Sequence, residues 1–315
     1  MKKKILSIFL ITLMLLCTGC EGNENIQFGI AREGGVYYLF GNKFSKIMAE
    51  GNNISVRTKE TAGSAANIRL LSDGYIDVGI AQSDMINDAV NQKGDFENKK
   101  YDGFKAVGGI YMEVCQIVVM NDSGINSIDD LQGKKVCIGE SESGTEKNAR
   151  QILSAYGLND LVVFTFNLNY KDASEELASG KIDALFCTSG TGSEMIKNLS
   201  KEHEIRFLSI DDTHMNKIIA ANDYLEEEKI PEGTYKGQNE DIKTVGTKAV
   251  LLVSDSLDET TVYNITKSLF KDDMKEYIND ILGEDITEND AVNGVATEFH
   301  NGALKYYKEK GINID

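Results

Sequence analysis

The sequence predicts an α/β protein of two lobes with a ligand cleft between them. Three observations carry this expectation. Short apolar runs alternate with longer amphipathic stretches along nearly the whole chain. Turns rich in glycine and hydroxyl groups follow the apolar runs. And 315 residues, enough for two domains, contain no low-complexity linker, so the parts are joined by strands that cross between them.

In chain order, 26–31 reads as a strand, and 36–50 has helical spacing with Phe40, Phe44, Ile47 and Met48 on one side. Residues 54–58 read as a strand, 65–72 as a helix, and 76–81 as a strand opening into a helix near Ser83. Two strands are expected at 104–111 and 114–120. Further strands follow at 136–139, 162–166 and 182–187, each with a helical pattern after it. This rhythm predicts largely parallel sheets with right-handed crossovers. The run 114–120 is the expected first crossing between lobes and 245–253 the return. The first lobe is then 26–113 plus 254–315, closed by the C-terminal helices, and the second is 114–253.

The N-terminus reads as an export signal. Lys2, Lys3 and Lys4 precede an apolar stretch, 5–16, that covers about 18 Å as a helix, too short for a hydrocarbon core of roughly 30 Å. A permanent membrane anchor is the alternative. The stretch ends in Leu16-Cys17-Thr18-Gly19-Cys20, which resembles a bacterial lipobox, although Cys17 stands where leucine is usual. Residues 1–19 are read as the signal, Cys20 as the lipidated residue and 20–25 as a tether. More than one acyl chain is what stable anchoring requires. Cleavage with Cys20 unmodified is the alternative. The chain is then extracytoplasmic, held on the outer face of the cytoplasmic membrane.

Composition excludes several roles. There are 33 basic and 50 acidic residues, a net charge of −17, and three of the lysines belong to the signal. Such a balance disfavours nucleic acid and anionic lipid surfaces. An anionic ligand therefore needs a locally favourable pocket. Cys115, Cys137 and Cys187 each sit in an apolar run and read as buried free thiols, with one disulfide as the alternative. His203, His214 and His300 stand in polar stretches. No G-x-S-x-G elbow and no H-E-x-x-H pair is present, so no catalytic residue and no metal ligand is assigned.

Five turns are candidate ligand contacts, because ligands of open α/β sheets bind beyond the carboxyl ends of strands. The first runs from Gly29 through Gly35, Tyr37 and Tyr38. With Ala31 in place of the second glycine it is a weak dinucleotide fingerprint, and no cofactor is assigned. The second holds Ser64 and Asn67, with Ser64 able to cap the helix instead. The third is Gln82 and Ser83. The fourth is Ser143, Gly144 and Thr145, where Ser143-x-x-Glu146 also fits a capping box. The fifth holds Thr188 and Gly190. Three turns fall in one expected lobe and two in the other, so they can converge on one small, polar, carboxylated ligand.

Several runs resemble the TAXI family of TRAP-transporter receptors: Gly34-Gly35-Val36-Tyr37-Tyr38, Ala62-Gly63-Ser64, Asn67-Ile68-Arg69-Leu70-Leu71, Asp77-Val78-Gly79-Ile80-Ala81-Gln82-Ser83-Asp84, Leu131-Gln132-Gly133-Lys134, Ser143-Gly144-Thr145-Glu146, Gly180-Lys181-Ile182-Asp183-Ala184, Ile230-Pro231-Glu232-Gly233-Thr234-Tyr235 and Tyr306-Tyr307-Lys308-Glu309-Lys310-Gly311. They lie in order over nearly the whole chain after the signal. The resemblance implies the type II periplasmic-binding-protein architecture and monomeric receptors that deliver solutes to ion-driven TRAP-type permease subunits. It implies a glutamate-like amino acid or a dicarboxylate as ligand. It also implies contacts from Gly35, Tyr37, Tyr38, Ser64, Gln82, Ser83, Ser143, Thr145 and the loop after Cys187. The first turn departs from the family's glycine-threonine-glycine at Ile30 and Ala31. Arg32 beside it reads as surface, with ligand pairing as its alternative. The rival readings are a receptor for an ATP-driven importer, a secreted hydrolase and a purely structural lipoprotein.

Overall fold

The computed structural model describes residues 24–50, 52, 54–158 and 164–314. The expected signal and the lipidated Cys20 lie outside the described residues. Among the described residues no helix is long and apolar enough to cross a membrane.

The parallel βαβ units form where the sequence places them. Strand β1 (Glu24–Ala31) leads into α1 (Val36–Ala49), β2 (Ile54–Thr61) into α2 (Ser64–Ser72), and β3 (Val78–Gln82) into α3 (Ser83–Val90). β1 pairs in parallel with both β2 and β3. β4 (Phe104–Met120) is one continuous strand where two were expected. After it come β5 (Lys135–Cys137), α4 (Gly144–Ala155), β6 (Phe164–Phe166), α5 (Tyr170–Ala178), β7 (Ala184–Ser189) and α6 (Glu194–Glu202). β5 pairs in parallel with β6 and β7. The expected strand 162–166 is seen from Phe164, its first two residues lying outside the described set.

The centre of the sheet is antiparallel, against the expectation of largely parallel pairing. β10 (Ile242–Ser254) runs antiparallel to β3 and β4, and β4 runs antiparallel to β7. A chain that leaves one lobe and returns to it must cross in opposite directions, and the two crossing strands pair with each other. The short strands β8 (Ile205–Phe207) and β9 (Glu226–Ile230) add to β4 and β10. They flank α7 (Asp212–Ala221). Sequence reading missed both. β9 is Glu226-Glu227-Glu228-Lys229-Ile230, mostly exposed, with none of the apolar alternation that marks a half-buried strand.

The apolar residues sort into cores on either side of the crossing. Along β4, Val107, Ile110 and Tyr111 pack with β1, β2 and α1, whereas Cys115, Ile117 and Val119 pack with α4. Along β10, Ala249, Leu251 and Val253 join the first core and Val250 and Leu252 face the opposite side, as strand periodicity dictates. Val245 belongs to the second core. The C-terminal helices α8 (Glu259–Leu269), α9 (Asp272–Leu282) and α10 (Asn301–Glu309) complete the first core through Val262, Ile265, Met274, Ile278 and Tyr307. The result is a two-lobed α/β fold with both crossing strands in one sheet. Cys115, Cys137 and Cys187 are buried and unpaired. Burial pushes the Cys115 and Cys187 thiols up to about 12.

Candidate functional site

The N-termini of four helices meet around one cavity: α1 and α2 from the first lobe, α4 and α5 from the second. Its volume is about 60 Å³, the space open to the centre of a water-sized sphere. A single water needs roughly 10–15 Å³ on that measure, so the space suits a molecule of several heavy atoms. Helix N-termini carry partial positive charge and backbone N–H groups, so this convergence favours a negatively charged group inside a strongly acidic protein.

The first-lobe wall centres on Glu113, from the middle of β4, which is 4% exposed. Tyr37 Oη, in the first turn of α1, donates to Glu113 Oε2 at 2.7 Å, and Tyr111 Oη donates to Oε1 at 3.3 Å. Burial pushes the Glu113 carboxyl up to about 8, against the lowering effect of the two phenols. Burial and the nearby carboxylate likewise raise both phenols, so they stay protonated donors. Ser64 does not cap α2, whose cap position is Gly63. Its Oγ accepts from the Gln82 amide at 3.2 Å and lies 3.4 Å from Tyr37 Oη. Gly63 holds φ = +123°, a conformation L side chains rarely adopt, and so aims the start of α2 at the other lobe.

The second-lobe wall is a hydroxyl network. Thr145 Oγ1 accepts from the Thr188 amide at 3.1 Å and lies 2.8 Å from Tyr170 Oη. Tyr170 Oη donates to the Thr188 carbonyl at 2.7 Å, which leaves the Thr145 hydroxyl to donate to Tyr170. Ser143 Oγ accepts from the Glu146 amide at 3.1 Å, as a cap should. The capping box is incomplete, because the Glu146 carboxylate accepts from the Glu142 amide, not from that of Ser143. Gly144 allows close approach: a Cβ there would lie 1.8 Å from Gln82 Oε1 across the cleft. Gln82 Oε1 and Ser189 Oγ, both on lining residues, are buried without a hydrogen-bond partner.

The lobes are clasped. The Glu142 carbonyl accepts the Ala65 and Ala66 amides at the start of α2, at 3.1 and 3.4 Å. Glu142 adopts φ = +68° to do so, and its carboxylate pairs with Arg69. Gln82 Nε2 donates to Asn148 Oδ1 at 3.2 Å. At the mouth, Arg32 Nε is 3.3 Å from Glu140 Oε1 with the Arg32 side chain 57% exposed, so this guanidinium bridges the rim.

Of the residues singled out from the sequence, Gly35, Tyr37, Ser64, Gln82, Ser143, Gly144, Thr145 and Thr188 line this cavity. Four others lie off it. Tyr38 packs against the first core. Asn67 is an internal clip: its Nδ2 donates to the Ile80 carbonyl at 2.8 Å and its Oδ1 accepts from Thr61 at 2.8 Å. Ser83 donates to the Gly294 carbonyl. Gly190 packs so closely on α9 that a Cβ would lie 2.2 Å from Leu282. Glu113 and Tyr170 were missed. The signal for Glu113 was the one acidic residue in the apolar stretch from Val107 to Met120, which sequence reading took as a break between strands. Tyr170 carried no comparable mark.

The fold is that of known substrate-binding proteins. The substrate-binding protein of an amino acid ABC transporter aligns with TM-score 0.52 and 14% identity over 82% of this chain and 100% of its own. An ancestral arginine-binding protein bound to arginine aligns with TM-score 0.52 and 18% identity, covering 84% and 100%. A putative L-cystine ABC transporter protein from Listeria monocytogenes aligns with TM-score 0.52 and 14% identity, covering 84% and 98%. At these identities the likeness speaks for the fold. The sequence itself matches the NMT1-like family model over residues 28–311, and the chain belongs to that family.

Proposed function

We propose that this protein is an extracytoplasmic solute receptor that captures a small polar carboxylate, an amino acid such as glutamate or a dicarboxylate, and delivers it to a membrane permease. One observation carries the reading: four helix N-termini from two lobes enclose a single cavity whose wall holds buried, unpartnered polar atoms. A cavity walled by both lobes favours the closed form whenever its guest touches both, which is how a ligand shifts a hinge equilibrium. The hinge is the paired crossing of β4 and β10. We place the lobe boundaries at 113/114 and near 246–248, earlier than the 253/254 return first expected, because Ala249, Leu251 and Val253 pack with the first core.

A hydrolase fits the cavity poorly. His214 stacks on Tyr156 at 3.6 Å and His300 caps α10, so neither lines it. The resemblance to TAXI receptors favours a TRAP-type permease as partner, with Cys20 lipidated to hold the receptor at the membrane. The ABC-transporter proteins among its structural neighbours favour an ATP-driven importer as the second reading. Membrane genes beside its own separate the two. The reading of the cavity is tested by mass spectrometry of small molecules released when the purified protein is denatured. A released carboxylate supports it. No released metabolite, together with no thermal shift from amino or dicarboxylic acids, overturns it.

A further inference from the structure

We propose that an ion-pair latch along the seam between the lobes closes the protein without a solute, and that salt opens it. The latch is a property of the empty molecule and does not depend on the reading of the cavity. Among the described residues, three pairs cross the seam with one polarity, the cation on the first lobe and the carboxylate on the second. Arg32 faces Glu140 at the rim at 3.3 Å, Arg69 of α2 faces Glu142, and Lys93 beyond α3 faces Asp223 beyond α7 at 3.7 Å. In each pair at least one side chain is exposed, so dissolved ions screen it. The pair of opposite polarity, Lys147 with Asp84 and Asp88, is largely buried. Its attraction is offset by the hydration these ions regain when the lobes part. The exposed pairs therefore tip the balance.

Glu142 is the centre of the latch. Its φ of +68° is one that glycine adopts freely and a glutamate does not. Contacts with α2 of the other lobe hold that strained conformation. The Glu142 carbonyl accepts the Ala65 and Ala66 amides, capping a helix whose own cap residue, Gly63, has no side chain to offer. The Glu142 carboxylate pairs with Arg69. Arg69 is fixed by groups of its own lobe: its guanidinium lies 5.3 Å from the Phe96 ring centre, and its Nη2 donates to the Asp95 carbonyl at 3.2 Å. An isolated exposed pair gains little, because two long side chains must be ordered to make it. Here one partner is already ordered, and the three pairs lie on one rigid-body movement at separate places, so their contributions add. For any guest held between the lobes, this means tighter retention at low ionic strength and easier release at high.

The test is small-angle scattering of the purified protein, freed of solute by unfolding, dialysis and refolding. Sodium chloride is varied between about 10 mM and 1 M, over which the screening length falls from roughly 30 to 3 Å. The expected result is a radius that grows with salt. Glu142→Gly keeps the backbone conformation and the carbonyl cap but removes the carboxylate, and Arg69→Gln removes its partner. Each should show a larger radius than wild type at low salt and a weaker salt dependence, with unchanged circular dichroism. Combining the two should add little to either, because both delete one interaction. Arg69→Glu together with Glu142→Lys rebuilds the pair in reverse and should bring the radius back towards wild type. A wild-type radius independent of salt overturns the latch. So does one that shrinks with salt, the outcome if self-repulsion in a chain of net charge −17 governs the lobes. So do Glu142→Gly and Arg69→Gln proteins as compact as wild type at low salt. The wild-type titration needs no variant, so it decides the matter even where a substitution unfolds the chain.

Discussion

Lys147 Nζ, on the second lobe, lies 2.7 Å from Asp88 Oδ2 on the first. The same ammonium is 3.1 Å from Asp84 Oδ2, and its side chain is only 12% exposed. Two carboxylates of one helix thus hold one lysine of the facing helix, beside the cavity and outside it. This ion pair joins the two halves independently of what fills the cleft.

Replacing Lys147 by methionine should open the protein. Removing one partner of a buried pair leaves the other charges uncompensated, at a cost of about 3 kcal/mol. Small-angle scattering should show a larger radius for Lys147→Met without ligand. An unchanged radius refutes the clasp. Burial lowers the lysine pKa, but Asp84 and Asp88 more than reverse this, so it is raised overall. Stability from a raised lysine is fully present below its unfolded value and is lost as pH rises through the folded one. Between about pH 6 and 9 the wild-type radius should therefore stay constant.

Glu113 sets a slope of the opposite kind to an ordinary carboxylate. Its folded pKa lies above its unfolded value, so between about pH 4.5 and 8 the native state binds a proton that the unfolded state has released. Stability from this group falls as pH rises through that window, by an amount on the order of a few kcal/mol. Urea denaturation of Glu113→Gln at pH 5 and at pH 7.5 should show the variant gaining on wild type at the higher pH. A difference that does not change with pH excludes it.

Ser64 and Thr145 should separate in their effects. The Thr145 hydroxyl is already committed on both sides, to the Thr188 amide and to Tyr170. Thr145→Val leaves a buried amide without an acceptor and should lower stability by about 1–3 kcal/mol in urea titrations. Ser64→Ala likewise removes the acceptor of the Gln82 amide, but its hydroxyl also faces Tyr37 in the wall that meets the guest. It should weaken ligand binding by about 1 kcal/mol. A Thr145 variant as stable as wild type contradicts the network.

Gly63 should tolerate no side chain. At φ = +123° an alanine is strained wherever it points, and the turn faces Ser143 of the other lobe. Gly63→Ala should cost about 1–3 kcal/mol of stability. Thermal melting checks this, with no change in midpoint as the contrary outcome.

Much of the architecture was legible because strand and helix periods differ. Val36 to Met48 and Val78 to Ala81 advertise their elements through which residues must be buried. The turns at Ser64, Ser143 and Thr145 were legible as candidates because glycine and hydroxyls cluster where helices begin. Pairing direction was less so: periodicity does not say which strand lies beside which, and the antiparallel centre follows from the route of the chain. Glu113 was misread for a physical reason. A charge inside an apolar run signals a boundary when it faces water, and a site when it faces an enclosed space. Only the partners Tyr37 and Tyr111, distant or adjacent in sequence, distinguish the two.

The pairing of β4 with β10 bears on how such a molecule can be taken apart. Val114 and Gly246 are opposite one another in register, so the chain enters and leaves the second lobe through neighbouring positions roughly 5 Å apart. That lobe is topologically an insertion into a hairpin. Excising it and joining the two ends with a tight turn leaves every strand of the remaining half with its sequence neighbours and its C-terminal helices intact, a minimal scaffold carrying half of a binding site.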